Sequence, residues 1–148
     1  MATRSTIALE FADGTVGQIY CHWDGYLAHN GQILFQSYQD PFKVRELIDL
    51  GDVSVLHANI GDKHDFNERY EEGCTFYGRD RGETGIEARY FANFAEYRAN
   101  AQSEEYNYIL RQLDGKAVWF VEFYGEFDGK LEQAIMDEQD SIAQEETA

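Results

Sequence analysis

Apolar and polar residues alternate along two stretches of the chain, and each stretch is interrupted by Asp-Gly. Residues 5–11 set Ile7, Leu9 and Phe11 on one side of an extended strand, and residues 16–23 return after Asp13-Gly14. Asp-Gly favours a two-residue primed turn, because glycine takes the positive φ such turns need. That register sets Phe11 against Val16, Leu9 against Gln18, Ile7 against Tyr20 and Ser5 against His22. His22 then ends a mostly apolar row, while Cys21 and Trp23 share the other face with Ile19 and Ala8. The second stretch runs Tyr106–Leu113, Asp114-Gly115, Lys116–Tyr124. Its register sets Leu110 against Trp119, Tyr108 against Val121 and Tyr106 against Phe123, so six large apolar residues share one face.

Helical spacing takes over between these hairpins. Asp24 is in place to cap a helix over 26–37 that carries Leu27, Leu34 and Tyr38. Gly31 inside it costs about 1 kcal/mol relative to alanine, which points to a close backbone approach or a break. A second helix has Asp40 as cap, Pro41 at its first position, a Val44/Leu47/Ile48 stripe and Gly51 as its stop. Residues 52–60 predict a short strand or turn, and 61–73 an exposed polar loop with at most a helical turn. Residues 74–77 predict a strand, 78–85 a turn-rich loop with two arginines, and 86–91 a returning strand. Asn93 can cap a helix with Phe94, Tyr97 and Ala101. From Gly129 a last helix carries Leu131, Ile135 and Ile142, with fraying expected from Gln139 onward. The expected class is α+β: an antiparallel sheet built on two Asp-Gly hairpins, with helices packed mainly on one face. One domain is expected over 1–136, followed by an acidic, frayed tail over 137–148.

Composition narrows the function classes. A chain of 148 residues buries enough surface to fold without disulfide or metal. Cys21 and Cys74 form no CxxC or Cys/His ladder, which predicts a reducing compartment and argues against zinc. No apolar run approaches about 18 residues, so neither secretion nor a membrane span is expected. Net charge is −16, spread as −7 over residues 1–73 and −9 over 74–148. Direct nucleic-acid binding would work against phosphate repulsion. Such acidity either serves solubility or imitates nucleic acid to occupy a basic groove on another protein.

The densest chemistry is Tyr20-Cys21-His22-Trp23-Asp24-Gly25-Tyr26. His22, Trp23, Asp24 and Tyr26 can form one wall of a pocket whose charged rim comes from Arg79, Asp80, Arg81 and Glu83. Ring, guanidinium and carboxylate together are the means of holding a nucleobase or phosphate. The same residues can equally lock a turn, with Asp24 capping a helix and Arg81 pairing with Asp24 or Glu83 to pin two loops. Two loose sets have donors of the right type for a metal, His22/Asp24/His29 and His57/His64/Asp65, but their spacing and number are poor and predict no metal site. Cys21 and His22 are adjacent in a strand and point to opposite faces, so no thiol–imidazole pair forms and no catalytic residue is assigned. No cofactor is implied.

Several of these stretches resemble a family of small uncharacterised proteins common in phage genomes. The likeness rests on Arg4-Ser5 and its strand, Asp13-Gly14-Thr15-Val16, Tyr20 to Tyr26, Gly31 and Leu34. It continues through Val44–Gly51 with Asp52-Val53-Ser54, Arg79-Asp80-Arg81-Gly82-Glu83, and Tyr106-Asn107-Tyr108 with Trp119. It covers most of residues 4–121 and departs at the acidic end after Tyr124. What it implies is origin as a phage accessory gene, hence the host cytoplasm, and no mechanism. The resulting expectation is a non-enzymatic protein that binds and inhibits or retunes a host or defence protein with a basic surface. The alternative is a nucleotide or other small-molecule binder or enzyme working at His22, Trp23 and Arg81.

Overall fold

Strand β1 (Ser5–Glu10) lies in the middle of the sheet with all six residues buried. The computed structural model, which describes residues 2–147, is a mixed α+β architecture with an eight-stranded, mostly antiparallel sheet. β1 pairs antiparallel with β2 (Val16–Cys21) and parallel with β6 (Tyr106–Leu113). Beyond β2, its Cys21 end takes β3 (Val53–Val55) in parallel, and β3 takes β4 (Thr75–Phe76) at the edge. The start of β2 pairs instead with β5 (Arg89–Phe91). On the other side β6 continues antiparallel into β7 (Lys116–Phe123) and β8 (Phe127–Lys130).

The two Asp-Gly sequences turn differently. Leu113 pairs with Lys116, and both Asp114 (φ +50°) and Gly115 (φ +78°) are left-handed, the two-residue primed turn. Leu110↔Trp119, Tyr108↔Val121 and Tyr106↔Phe123 follow as the pattern predicts. At the first hairpin only Gly14 is left-handed (φ +91°). Gly14 N–H donates to the Phe11 carbonyl (2.9 Å) and Phe11 N–H to the Thr15 carbonyl (2.8 Å), leaving three residues in the loop. Asp13 accepts from both the Thr15 amide (3.0 Å) and hydroxyl (2.7 Å), which favours this wider turn. The expected register is therefore one residue off. Ile7 pairs with Ile19 and Ser5 with Cys21, so Cys21 and Ile19 join the Ile7/Leu9 side and His22 does not oppose Ser5.

That side carries the main core, into which Leu34, Val44, Leu47, Ile48, Leu131 and Ile135 pack from the helices. Trp119 donates its indole N–H to the Tyr38 carbonyl (2.9 Å), tying β7 to the helical layer. Through the other side of the sheet, Ala8, Val16 and Ile109 meet Tyr97 of α4 (Phe94–Asn100), whose cap Asn93 accepts from the Glu96 amide.

The helical segment expected over 26–37 forms over residues 27–37, but not as one α-helix. It is a π turn, Leu27–Gly31, followed by α1 (Gln32–Ser37). Asp24 is not its cap: Asp24 is left-handed (φ +57°), and Tyr26 occupies the cap position without a side-chain bond. Gly31 does mark a close approach, since a Cβ there would lie 3.3 Å from the Tyr108 hydroxyl. α2 (Pro41–Leu50) has Asp40 accepting from the Phe42 amide and Gly51 at its end. The expected loop over 78–85 is a correction too: Tyr77–Arg81 forms a helical turn, α3, closed by left-handed Gly82. The last helix, expected from Gly129, starts two residues later: Gly129 and Lys130 pair with β7 as the end of β8, and α5 runs Leu131–Thr147 directly out of it; Ala148 of the expected tail lies outside the described residues.

Candidate functional site

The Cys-His-Trp-Asp-Gly stretch continues the sheet past β2 and then turns sharply onto β1. His22 and Trp23 amides donate to the carbonyls of Val53 and Ser54, both at 3.1 Å. The Gly25 amide donates to the Thr3 carbonyl (2.8 Å), and the Tyr108 hydroxyl donates to the Gly25 carbonyl (2.6 Å). A Cβ on residue 25 would lie 2.7 Å from Ser5 Cβ and 2.9 Å from the Thr3 carbonyl oxygen, so only glycine fits. Cys21 is fully buried beneath this turn; burial pushes its thiol up to about 12, and it accepts from Asn30 Nδ2 at 3.2 Å. Such a thiol is a core group and not a nucleophile.

Neighbouring residues of the stretch open into different hollows. His22 Nδ1 bonds the Tyr20 hydroxyl (2.7 Å), and the pair lines a hollow of about 360 Å³ with Arg4, Asp52, Gln102 and Glu104. Trp23 stands edge-on to the His22 ring, 4.8 Å between centroids. Together with Asp24 it lines a second hollow of about 460 Å³, closed by His57, Phe66, Glu68 and Tyr70. Trp23 is 42% exposed. Tyr26, 39% exposed, stands beside His29 with centroids 6.2 Å apart.

The Arg-Asp-Arg-Gly-Glu stretch divides between structure and surface. The Asp80 carboxylate is completely buried and accepts from the amides of Phe76 (2.7 Å) and His64 (3.1 Å) and from Arg79 Nε (3.0 Å). Burial alone would raise its pKa, but these hydrogen bonds outweigh burial and hold it below the ordinary aspartate value. Arg79 also donates to the carbonyls of Ile60, Gly61 and Cys74, so the pair fastens the 61–73 loop to β4. Arg81 is half exposed, pairs with Glu83 (2.5 Å), and lies over the rings of Phe66 (4.4 Å) and Tyr77 (5.2 Å). Of the two partners the sequence offered Arg81, the structure selects Glu83.

Among the described residues, no group of three or more His, Cys, Asp or Glu is arranged to hold a metal ion. His64, of the His57/His64/Asp65 set, is occupied by the Thr75 hydroxyl (3.0 Å) and the Asp62 carbonyl (3.0 Å) and stacks on Tyr70 at 3.7 Å. Burial lowers the pKa of His57, which favours its neutral ring. Phe66, Glu68 and Tyr70 belong to no motif in the sequence, and His57 stands out only in the loose His57/His64/Asp65 set; two aromatics four residues apart in an otherwise polar loop are nevertheless a signal that the loop folds back onto something. No helix among the described residues is long and apolar enough to cross a membrane. No family model matches the chain, and neither does any curated protein or solved structure.

Proposed function

We propose that this chain is a non-enzymatic binding protein whose acidic surface docks on a basic surface of a partner protein and thereby inhibits or retunes it. What supports this most is the hollow at Trp23: an exposed indole beside the half-buried rings of Phe66 and Tyr70, with carboxylates in the same lining, on a chain of net charge −16. The likeness to small phage-encoded proteins makes the partner a host or defence protein, and the compartment the host cytoplasm. In this reading the sheet built on its two Asp-Gly hairpins, with helices mainly on one face, is a scaffold that holds the β2 turn and the 61–73 loop beside each other.

The nucleotide alternative needs His22, Trp23 and Arg81 around one ligand. His22 and Trp23 line different hollows, and Arg81 is held by Glu83, Phe66 and Tyr77. The docking reading therefore takes precedence. Its test is capture of partners from host lysate with the tagged chain, at low salt and at about 0.5 M, where exposed charge pairs are screened within a few ångströms. A basic protein identified by mass spectrometry, released by salt and rebinding in purified form, is the expected result. A purified partner held equally at both salt concentrations would overturn the acidic-surface mechanism.

A further inference from the structure

We infer that the hollow between the β2 turn and the 61–73 loop is a receptor for an arginine side chain presented by the partner. This rests on the docking reading and adds the group recognised. Trp23, Phe66, Tyr70 and His57 are among its walls; Asp24 and Glu68 supply its unbalanced charge, since the Arg69 guanidinium that also lines it is paired with Glu71. The hollow of about 460 Å³ lies within the range of small-ligand sites.

Three observations select a planar cation. The lining includes the rings of Trp23, Phe66 and Tyr70, and aromatic rings attract cations through their quadrupole and stack well against guanidinium. The chain already makes this contact internally, because Arg81 lies 4.4 Å from the Phe66 ring centre. An incoming guanidinium would repeat that arrangement within the hollow. Finally, the carboxylates of Asp24 and Glu68 have no hydrogen-bond or ion-pair partner among the described residues, whereas Glu71 beside them is paired with Arg69 at 2.6 Å. Two unpaired carboxylates in an aromatic-rich lining repel a phosphate and can accept hydrogen bonds from a guanidinium. His57, kept neutral by burial, adds no opposing charge.

The test uses the intact chain and the peptide Ac-Gly-Arg-Gly-amide, followed by NMR. The Trp23 indole reports the site. The Trp119 indole, buried and bonded to the Tyr38 carbonyl, is the internal control. The arginine peptide is expected to shift Trp23, His57 and Tyr70 saturably and leave Trp119 unmoved. The citrulline peptide, equal in shape but uncharged, should bind at least tenfold more weakly, and adenosine monophosphate should not bind. Trp23→Ala and Glu68→Gln, both at exposed positions, should each weaken the arginine peptide about tenfold. Asp24→Asn, which keeps a residue tolerant of the left-handed conformation, should do the same. Equal binding of citrulline, tighter binding of the nucleotide, or arginine shifts scattered over the surface and indifferent to these variants would overturn the arginine site. Scattered, salt-sensitive arginine binding would leave the broader docking reading in place. Salt-insensitive capture of the purified partner would overturn that broader reading whether or not the hollow binds arginine.

Discussion

At the residue scale, the two halves of Arg-Asp-Arg-Gly-Glu have opposite roles that substitution should separate. Asp80→Ala strands the Arg79 guanidinium and two backbone amides, and loss of one partner of a buried pair costs about 3–5 kcal/mol. Arg81→Ala removes an exposed pair with Glu83 and should cost no more than about 1 kcal/mol. Denaturation curves of the two variants check this, and similar losses would refute the division. Because the folded pKa of Asp80 is depressed, its contribution is fully present above the unfolded carboxylate value, about 4, and is lost as pH falls through the lower folded value. At the alkaline end the sign reverses. Burial raises Cys21 to about 12 and also raises Tyr38, Tyr97 and Tyr108. Their contribution is complete below the unfolded thiol value, about 8.5, and is lost as pH climbs toward the folded ones. The NMR signals of these three rings should therefore report tyrosinate only together with unfolding; their titration near pH 10 in folded protein would contradict their burial.

At the element scale, the β2 turn depends on one close contact. Gly25→Ala drives a Cβ into Ser5 and the Thr3 carbonyl, and overpacking of this kind costs about 1–3 kcal/mol. Thermal unfolding would measure it, and a variant as stable as the parent would mean that the turn moves freely away from β1. The same turn shows what the pattern could and could not convey. The strands other than β8, the caps Asp40 and Asn93, the Gly51 stop, and the register of the Asp114-Gly115 hairpin follow from local periodicity and backbone preference. The Asp13-Gly14 register was missed because Thr15 rewards a wider turn through its hydroxyl, a side-chain preference that outweighs the dipeptide's. That single slip moved Cys21 to the core side and separated His22 from Ser5. Asp24 resembles a helix cap in sequence, yet the pull of Gly25 onto β1 places it in the left-handed region. The Trp23 hollow was only half legible. Its β2 half stands out as a dense motif, whereas Phe66 and Tyr70 reach it through a loop positioned by the remote Arg79–Asp80 pair.

Over the whole molecule, the distribution of acid sets how the chain responds to trimming and to salt. α5 places Leu131, Ala134 and Ile135 in the core, whereas Met136 and Ile142 are about half exposed. Truncation after Met136 keeps the buried contacts and removes five carboxylates without removing a base. It should retain cooperative unfolding and lose about 1 kcal/mol at most, the share of a half-buried isoleucine; loss of cooperativity would show that the end of α5 is an integral part of the fold. Salt supplies the last test, because it acts with opposite sign on folding and on docking. A compact chain of charge −16 repels itself, and that repulsion is long-ranged, so added salt should raise its denaturation midpoint. Attraction to a basic partner also reaches over about a Debye length, 8–10 Å near physiological ionic strength, so the same salt should weaken the complex. Measuring both over one salt series removes the ambiguity of either alone. Weaker binding with an unchanged or rising midpoint places the loss at the interface. Weaker binding with a falling midpoint would mean that salt unfolds the chain, and the acidity would then have to be counted among what holds the fold together.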